Sequence, residues 1–584
     1  MKSFFKIFLA SLLAFFVVCV IIFFIFIGFV TNIASKEKVR TGAKAVLEID
    51  LARTYPEIGV ENPLARFSGK EDGDMPSLYD VIRLIKHAKS DSAVKGIYLK
   101  CSNNANGMGA SQEIRNALYD FKSSGKFIYA YGDVITQAGY SVGNVANRIY
   151  CNPEGGVDWR GYAIELAYVK GLLQKLEIEP QIFYAGKFKS ATEPFRETSM
   201  TEANRLQLSV MLGDMYGRFL QQTAEARKLD TATLHQYANE YRIQFAADAV
   251  KYGLIDGLKY DDEVKTEIAA KLGGVKLDKL NFVNVQKYAK AVDYKPDGTD
   301  KIAVIYAQGD IVDGKGDRDR IGSITYRDLV RKARLDDRTK AIVLRINSGG
   351  GSALASENIW RELTLARKVK PVVVSFGDVA ASGAYYLSCN ADSIFAQTNT
   401  ITGSIGVFTL LPNMQKFFND KLGITFDGVK TAPQADMLTA TKPLTPAQRT
   451  YLQNSVDSIY FTFKKRVAEG RKKDLGYVDS IGQGRVWSGS RALQLGLVDR
   501  LGGLDDAIAC AARMAKTTDY RLREYPEPHN VLELIFGGYN EEATQSALQK
   551  ELGEEGIKTF QTLKRVKAMV GITQARLPFE FSIE

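Results

Sequence analysis

The 584-residue chain is predicted to be an α/β protein in which a parallel sheet with crossover helices occurs twice, after one N-terminal transmembrane helix. Three observations predict this. The segment GDVITQAGYSVGNVANRIY aligns without a gap on GDVAASGAYYLSCNADSIF, with Gly132 falling on Gly377 at an offset of 245 residues. Within each copy, buried-strand runs alternate with segments that put apolar residues at helical spacing, joined by short links, as parallel sheets with crossover helices require. Both copies also close alike: Gly253-Leu254-Ile255-Asp256 matches Gly496-Leu497-Val498-Asp499 at an offset of 243. The repeat is therefore a whole domain, and its period is far too long for a solenoid.

In chain order, Ile7 to Val30 carry no charge. At about 1.5 Å per residue they make a helix of roughly 36 Å, enough to cross a bilayer with some tilt and longer than a signal-peptide core. Lys2 and Lys6 precede the run and Lys36, Lys38 and Arg40 follow it, so the basic residues do not fix its orientation. Residues 1–42 are thus assigned as a membrane anchor, the alternative being a cleaved export signal, against which no clear small-x-small site follows the apolar run. The first repeat, 43–295, reads AVLEID as strand, SLYDVIRLIKHAK as helix, GIYLK as strand, SQEIRNALYDF as helix and KFIYAYG as strand. VDYKPDGTD, with Pro296 and Gly298, is the linker. The second repeat, 300–525, repeats the order with KIAVIYAQGDIV, TYRDLVRKARLD, AIVLRIN, ASENIWRELTLARK and PVVVSFG. A long amphipathic helix follows in each copy, opening at TEANRL and at TPAQRT. Residues 526–584 form a tail with two helical patterns.

A net charge of +10 and a pI near 9.0 would suit nucleic acid, but the basic residues are spread among almost as many carboxylates and form no long run. Nucleic acid is therefore not an expected partner. Cys19, Cys101, Cys151, Cys389 and Cys510 are widely spaced and show no metal-ligand pairing. A Cys101–Cys151 bridge is compatible with the sequence, though no other feature calls for it.

The chemistry gathers in the second copy. Gly349, Gly350 and Gly351 follow the buried strand AIVLRIN, where a turn without Cβ atoms can aim backbone N–H groups at a substrate carbonyl. The next strand, PVVVSFG, ends at Asp378, and a helical pattern begins near Ser382. A hydroxyl at a helix start suits nucleophilic attack, with a following N–H available to an oxyanion. The first copy is an internal control. It has Gln137 and Ala138 at the positions of Ser382 and Gly383, and CSNNANGMGAS in place of the glycine turn, so both features are lost together. His87, His235 and His529 lie away from the strand ends that could join Ser382, which argues against a Ser-His-Asp triad. A lysine can act instead when its amine is neutral. At an unperturbed pKa near 10.4 that costs about 4.6 kcal/mol at pH 7, so the site must be desolvated. Lys187 and Lys189 in AGKFKSATEPF are the candidates, sharing a face if that segment is extended. The position matching Lys189 in the second copy is Ala435.

KSATEPF, INSGGGSA, GDVAASGAYYLSCNAD, TNTITGSIGVF and GRVWSGSRALQLGLVDRLGG together resemble the signal peptide peptidase A (protease IV) family in its long, tandemly duplicated bacterial form. The resemblance covers nearly the whole chain. It implies tandem Clp-protease-like or crotonase-like domains with a Ser/Lys dyad between them. It also implies a homotetramer anchored in the bacterial inner membrane with its catalytic portion in the periplasm, acting on cleaved signal peptides and other apolar peptides. Carried over by motif, Ser382 is the nucleophile, Lys189 the general base, Ser404 of TGSIGV the hydroxyl that orients the lysine, and Gly350 and Gly383 the oxyanion donors. Gly349 stands where the family often has proline, which leaves Gly350 and Gly351 as alternatives. No metal or other cofactor is expected. Val407, Phe408 and Leu410 are expected either to line an apolar peptide groove or to be ordinary core. The competing readings are a crotonase-like acyl-CoA enzyme, which would not need the serine, and a non-catalytic membrane scaffold, which would not explain how serine and lysine divide between the copies.

Overall fold

The computed structural model describes residues 2–34, 40–60, 74–317, 319–527 and 571–577. Near-continuous apolar runs build the centre of each repeat, because parallel strands are covered on both faces. In the first repeat the strands Gly257–Leu258, Arg148–Val157, Phe127–Ile135, Val94–Lys100, Ala45–Asp50 and Phe282–Asn284 lie side by side in that order, every neighbouring pair parallel. In the second repeat the order is Val486–Ser488, Ile401–Gly403, Val372–Ala381, Thr339–Ser348, Asp300–Gln308 and Tyr520–Tyr525. Only the Val486–Ser488 pairing is antiparallel along that path.

Alternation along one strand shows how both faces are filled. Ile302, Val304 and Tyr306 pack with Leu504, Ala507 and Ile508 of the helix Leu504–Met514, whereas Ala303, Ile305 and Ala307 point into the larger core on the opposite face. The helices Leu78–Ser90, Met108–Lys122, Ser323–Leu335 and Ala353–Arg367 fall on the four helical patterns read from the sequence. The long helices are Glu202–Arg227 and Pro446–Arg471, each started by a threonine whose side chain accepts a hydrogen bond from the backbone three residues on.

Three features differ from the sequence reading. The strand expected to end at Asp378 continues to Ala381, because Val379, Ala380 and Ala381 gain Ile401, Thr402 and Gly403 as parallel partners. A third sheet, not anticipated, has the order Gly316–Asp317, Arg320–Gly322, Asp310–Val312, Gly350–Ser352, Gln574–Arg576, Val407–Asn413 and Glu179–Ala185. Its last strand comes from the first repeat and pairs antiparallel with the second over a full register, from Val407↔Ala185 to Asn413↔Glu179. The described part of the tail is a strand; both of its expected helices lie outside the described residues. Cys101 and Cys151 are buried free thiols, so the bridge that the sequence allowed but did not call for is not formed.

At the N-terminus Lys2–Ala34 form one helix, with side chains described only as far as residue 21. The side chains of the expected span 7–30 are thus described only in part, and among the described residues no helix is long and apolar enough to cross a membrane.

The two repeats are locked by charge as well as by the shared sheet. Arg345, 1% exposed, reaches from the second repeat to Glu57 of the first, with Nε and Nη2 each 2.9 Å from a carboxylate oxygen, and Nη2 lies 2.7 Å from Glu113. Nη1 donates to Ser375 Oγ at 3.0 Å. Removing one member of such a buried network strands the others without a partner. Arg345→Ala should therefore lower the unfolding free energy by about 3–5 kcal/mol, read as a lower urea midpoint.

Candidate active site

Two adjacent parallel strands of the second repeat, Val372–Ala381 and Ile401–Gly403, end side by side and leave the sheet through residues of positive φ. Ser382 has φ 56° and ψ −114°, and Ser404 has φ 52°. Such backbone is costly for a residue with a Cβ. It is held by the Ser382 N–H donating to Gly403 O at 2.8 Å and the Ser404 N–H donating to Arg485 O at 2.7 Å. Both hydroxyls are thereby turned to the same point.

Lys189 reaches that point from the first repeat. The strand Glu179–Ala185 carries the chain to Gly186, whose φ of +112° begins a tight turn. Phe188 N–H then donates to Gln483 O at 2.7 Å and Lys189 N–H to Gly186 O at 3.1 Å. Gly484 makes the approach possible: a Cβ there would stand 2.6 Å from the Lys189 backbone nitrogen. The segment is a turn and not the extended run the sequence suggested, so the two lysines part company. Lys187 is exposed, while Lys189 is 1% exposed.

The Lys189 amine lies 2.8 Å from Ser382 Oγ, 3.0 Å from Ser404 Oγ and 3.3 Å from Ser404 O. Ser382 Oγ also lies 3.4 Å from Gly406 O. Among the described residues no carboxylate is within ion-pair distance of Lys189, and burial holds its pKa well below the ordinary lysine value. The buried amine and the serine hydroxyl are thus within hydrogen-bonding reach of each other.

The glycine turn lies next to this pair. Gly350 has φ +97°, and a Cβ on it would fall 2.7 Å from the Gly383 nitrogen and 2.2 Å from Ala575 O. A Cβ on Gly383 would meet Ala575 O at 2.9 Å and the Gly351 nitrogen at 3.2 Å. The backbone at Gly350 and Gly383 thus packs closely against Ala575 O. The Gly350 N–H is already donated to Ser348 Oγ at 3.1 Å. Gly351 stands opposite Ala575. Val407, Phe408 and Leu410 are all buried, and Phe408 stands opposite Gln574.

Sequence reasoning missed three contributors. The tail strand Gln574–Arg576 runs antiparallel to Gly350–Ser352 and covers the site; nothing in QAR advertises a strand. Gln207, in the middle of a long helix, donates to Phe188 O at 3.1 Å and Ser190 Oγ at 2.9 Å, fixing both sides of Lys189. Asp378 accepts from the N–H groups of Gly109 and Ala110 at 2.7 and 2.9 Å, so the serine strand caps a helix of the other repeat. In the first copy, Gln137 is taken up structurally, accepting from the N–H groups of Arg160 and Gly161, both at 2.9 Å. Ala435 lies in an exposed turn.

The sequence profile of peptidase family S49 matches residues 120–276 and 364–518, once in each copy. The chain belongs to that family and is a serine peptidase. It is 37% identical to Protease 4 of Salmonella typhi over 79% of this chain and 75% of that protein. Protease 4 of Haemophilus influenzae is 34% identical, covering 78% and 75%. The chloroplastic serine protease SPPA of Arabidopsis thaliana is 34% identical, covering 73% and 64%.

Keeping Lys189 uncharged weakens the fold. Unfolding returns its pKa to the ordinary value, so between the lowered native value and that one the unfolded state binds more protons and stability rises with pH. Lys189→Met should remove this dependence and, at neutral pH, raise the unfolding free energy by about 0.5–2 kcal/mol, measured by denaturant melts across pH.

Proposed function

We propose that the protein is a membrane-anchored endopeptidase with a Ser382/Lys189 dyad that degrades cleaved signal peptides and other apolar peptides. The observation that carries the reading is the 2.8 Å approach of a buried amine to a buried hydroxyl that is held on strained backbone. Neutral Lys189 takes the Ser382 proton as Oγ attacks the peptide carbonyl. Ser404 orients the amine. The oxyanion faces the Gly383 N–H and the glycine turn, with Gly350 or Gly351 as the second donor. Protonated Lys189 gives its proton to the leaving amine, and water then releases the acyl group from Ser382.

The tail strand supports an extended-peptide readout, since Gly350–Ser352 already accepts one antiparallel strand beside Phe408. Anchoring is supported by the N-terminal helix, which exposes Ile7, Phe8, Leu9, Leu12, Phe15 and Val18 around its axis. A helix apolar on all sides suits lipid. We place the peptidase portion on the periplasmic side of the bacterial inner membrane, in a tetramer of identical chains.

Ser382→Ala and Lys189→Ala should each lower kcat on a fluorogenic peptide with an apolar residue before the scissile bond by at least about 10³-fold, while Lys187→Ala retains turnover. Full activity in the serine variant would refute the dyad. In the wild type, kcat/KM should rise with pH along a limb well below the ordinary lysine pKa, since only the unprotonated amine serves as base. Truncation before residue 571 should raise kcat/KM on the same short peptide, because the tail strand and a substrate need the same backbone groups; unchanged kinetics would place the substrate elsewhere.

A further inference from the structure

The first repeat keeps an open cavity where the second keeps its catalytic pair. It measures about 380 Å³, within the range of small-ligand pockets. Gln137 and Ala138, the counterparts of Ser382 and Gly383, form part of its wall, as do Asn104 and Asn106 from the loop that replaces the glycine turn. The face of the helix Met108–Lys122 that carries Ser111, Gln112 and Arg115 forms another side.

Arg115 is the unexplained group in this wall. Its side chain is 8% exposed, yet among the described residues no carboxylate lies within ion-pair distance of it. Its Nε has no hydrogen-bond partner, and its one bond is a long one, from Nη2 to Gln222 O at 3.5 Å. Burial, with Arg218 nearby, lowers its pKa to about 10 against the weaker opposing pull of Glu225. The other guanidinium in the wall, Arg160, is already held by Asp158, with Nε and Nη2 at 2.5 and 2.9 Å from the two carboxylate oxygens. A buried guanidinium without a carboxylate in direct contact is expensive, and its planar fork matches a carboxylate. Beside it the wall turns apolar at Met108, Tyr162 and Phe219.

We infer that the first repeat binds the free C-terminal carboxylate of a short apolar peptide at Arg115, in a crevice that has lost its catalytic groups and kept its pocket. Peptide-bond hydrolysis generates such termini, so the ligand is of the class the enzyme itself produces. The inference does not depend on the Ser382/Lys189 assignment.

The test is calorimetric titration of the full chain in detergent micelles, carrying Ser382→Ala so that no turnover intervenes. The probes are N-acetyl-Ala-Ala with a free carboxylate, the same dipeptide as its amide, and acetate. The free acid should bind saturably, with the amide and acetate each at least tenfold weaker. Adding Arg115→Gln should abolish the preference for the free acid. Ser141→Phe, which fills the cavity from the helix Gln137–Gly143 without touching the guanidinium, should abolish binding of the free acid. Circular dichroism melts serve as the folding control, and Arg115→Gln should melt no lower than its parent. Equal affinity for acid and amide, acetate binding as tightly as the dipeptide, an unchanged preference in Arg115→Gln, or no binding at millimolar peptide would each overturn the inference. If the two dyad variants lose turnover while this titration fails, the cavity assignment alone is wrong.

Discussion

The site depends on keeping one amine dry. Among the described residues Lys189 has no acidic partner, its pKa is lowered by burial, and the elements around it keep it buried. Gly484 lets the backbone of the second repeat close against the lysine turn, Gln207 pins the residues on either side, and the strand Glu179–Ala185 is tied to Val407–Asn413 along its whole length. A carboxylate in the same place would favour the charged amine, against the role proposed for it. Strain at Ser382 and Ser404 is tolerated because neighbouring strands fix both backbone N–H groups.

Duplication gave two equivalent crevices, and the chain uses them differently. In the second copy the strand ends carry hydroxyls and a glycine turn. In the first, the corresponding residue, Gln137, stitches its own loop to Arg160 and Gly161. The amine that the second copy lacks arrives through a sheet built from both repeats, so the functional unit is the pair. Asp378 shows the same sharing at a finer scale, since a carboxylate four residues before Ser382 caps a helix of the other repeat.

Much of this was legible in the sequence because local rules sufficed. Strand and helix patterns such as AIVLRIN and ASENIWRELTLARK follow from burial periodicity, and the absence of a suitably placed histidine directed attention to lysine. Choosing Lys189 over Lys187 rested on a motif, since both were equivalent until the turn at Gly186 separated them. The composite sheet was not legible. Its pairings join residues hundreds of positions apart, as Val407 with Ala185 or Gly351 with Ala575, and strands such as Gly350–Ser352 and Gln574–Arg576 are too short to carry a pattern of their own. Gln207 and Arg115 were equally silent, since a polar residue in a helix reads as a solvated face until the neighbouring chain is placed over it.

The contact of Arg345 with Glu57 and Glu113 bears on how such a chain can evolve. A positive charge on one gene half and two negative charges on the other, all shut away from solvent, make each half a poor citizen when alone. Once that exchange of opposite charges had been made, fission back into independent single-copy polypeptides would expose each fragment to unfolding and aggregation, and the fusion became effectively irreversible.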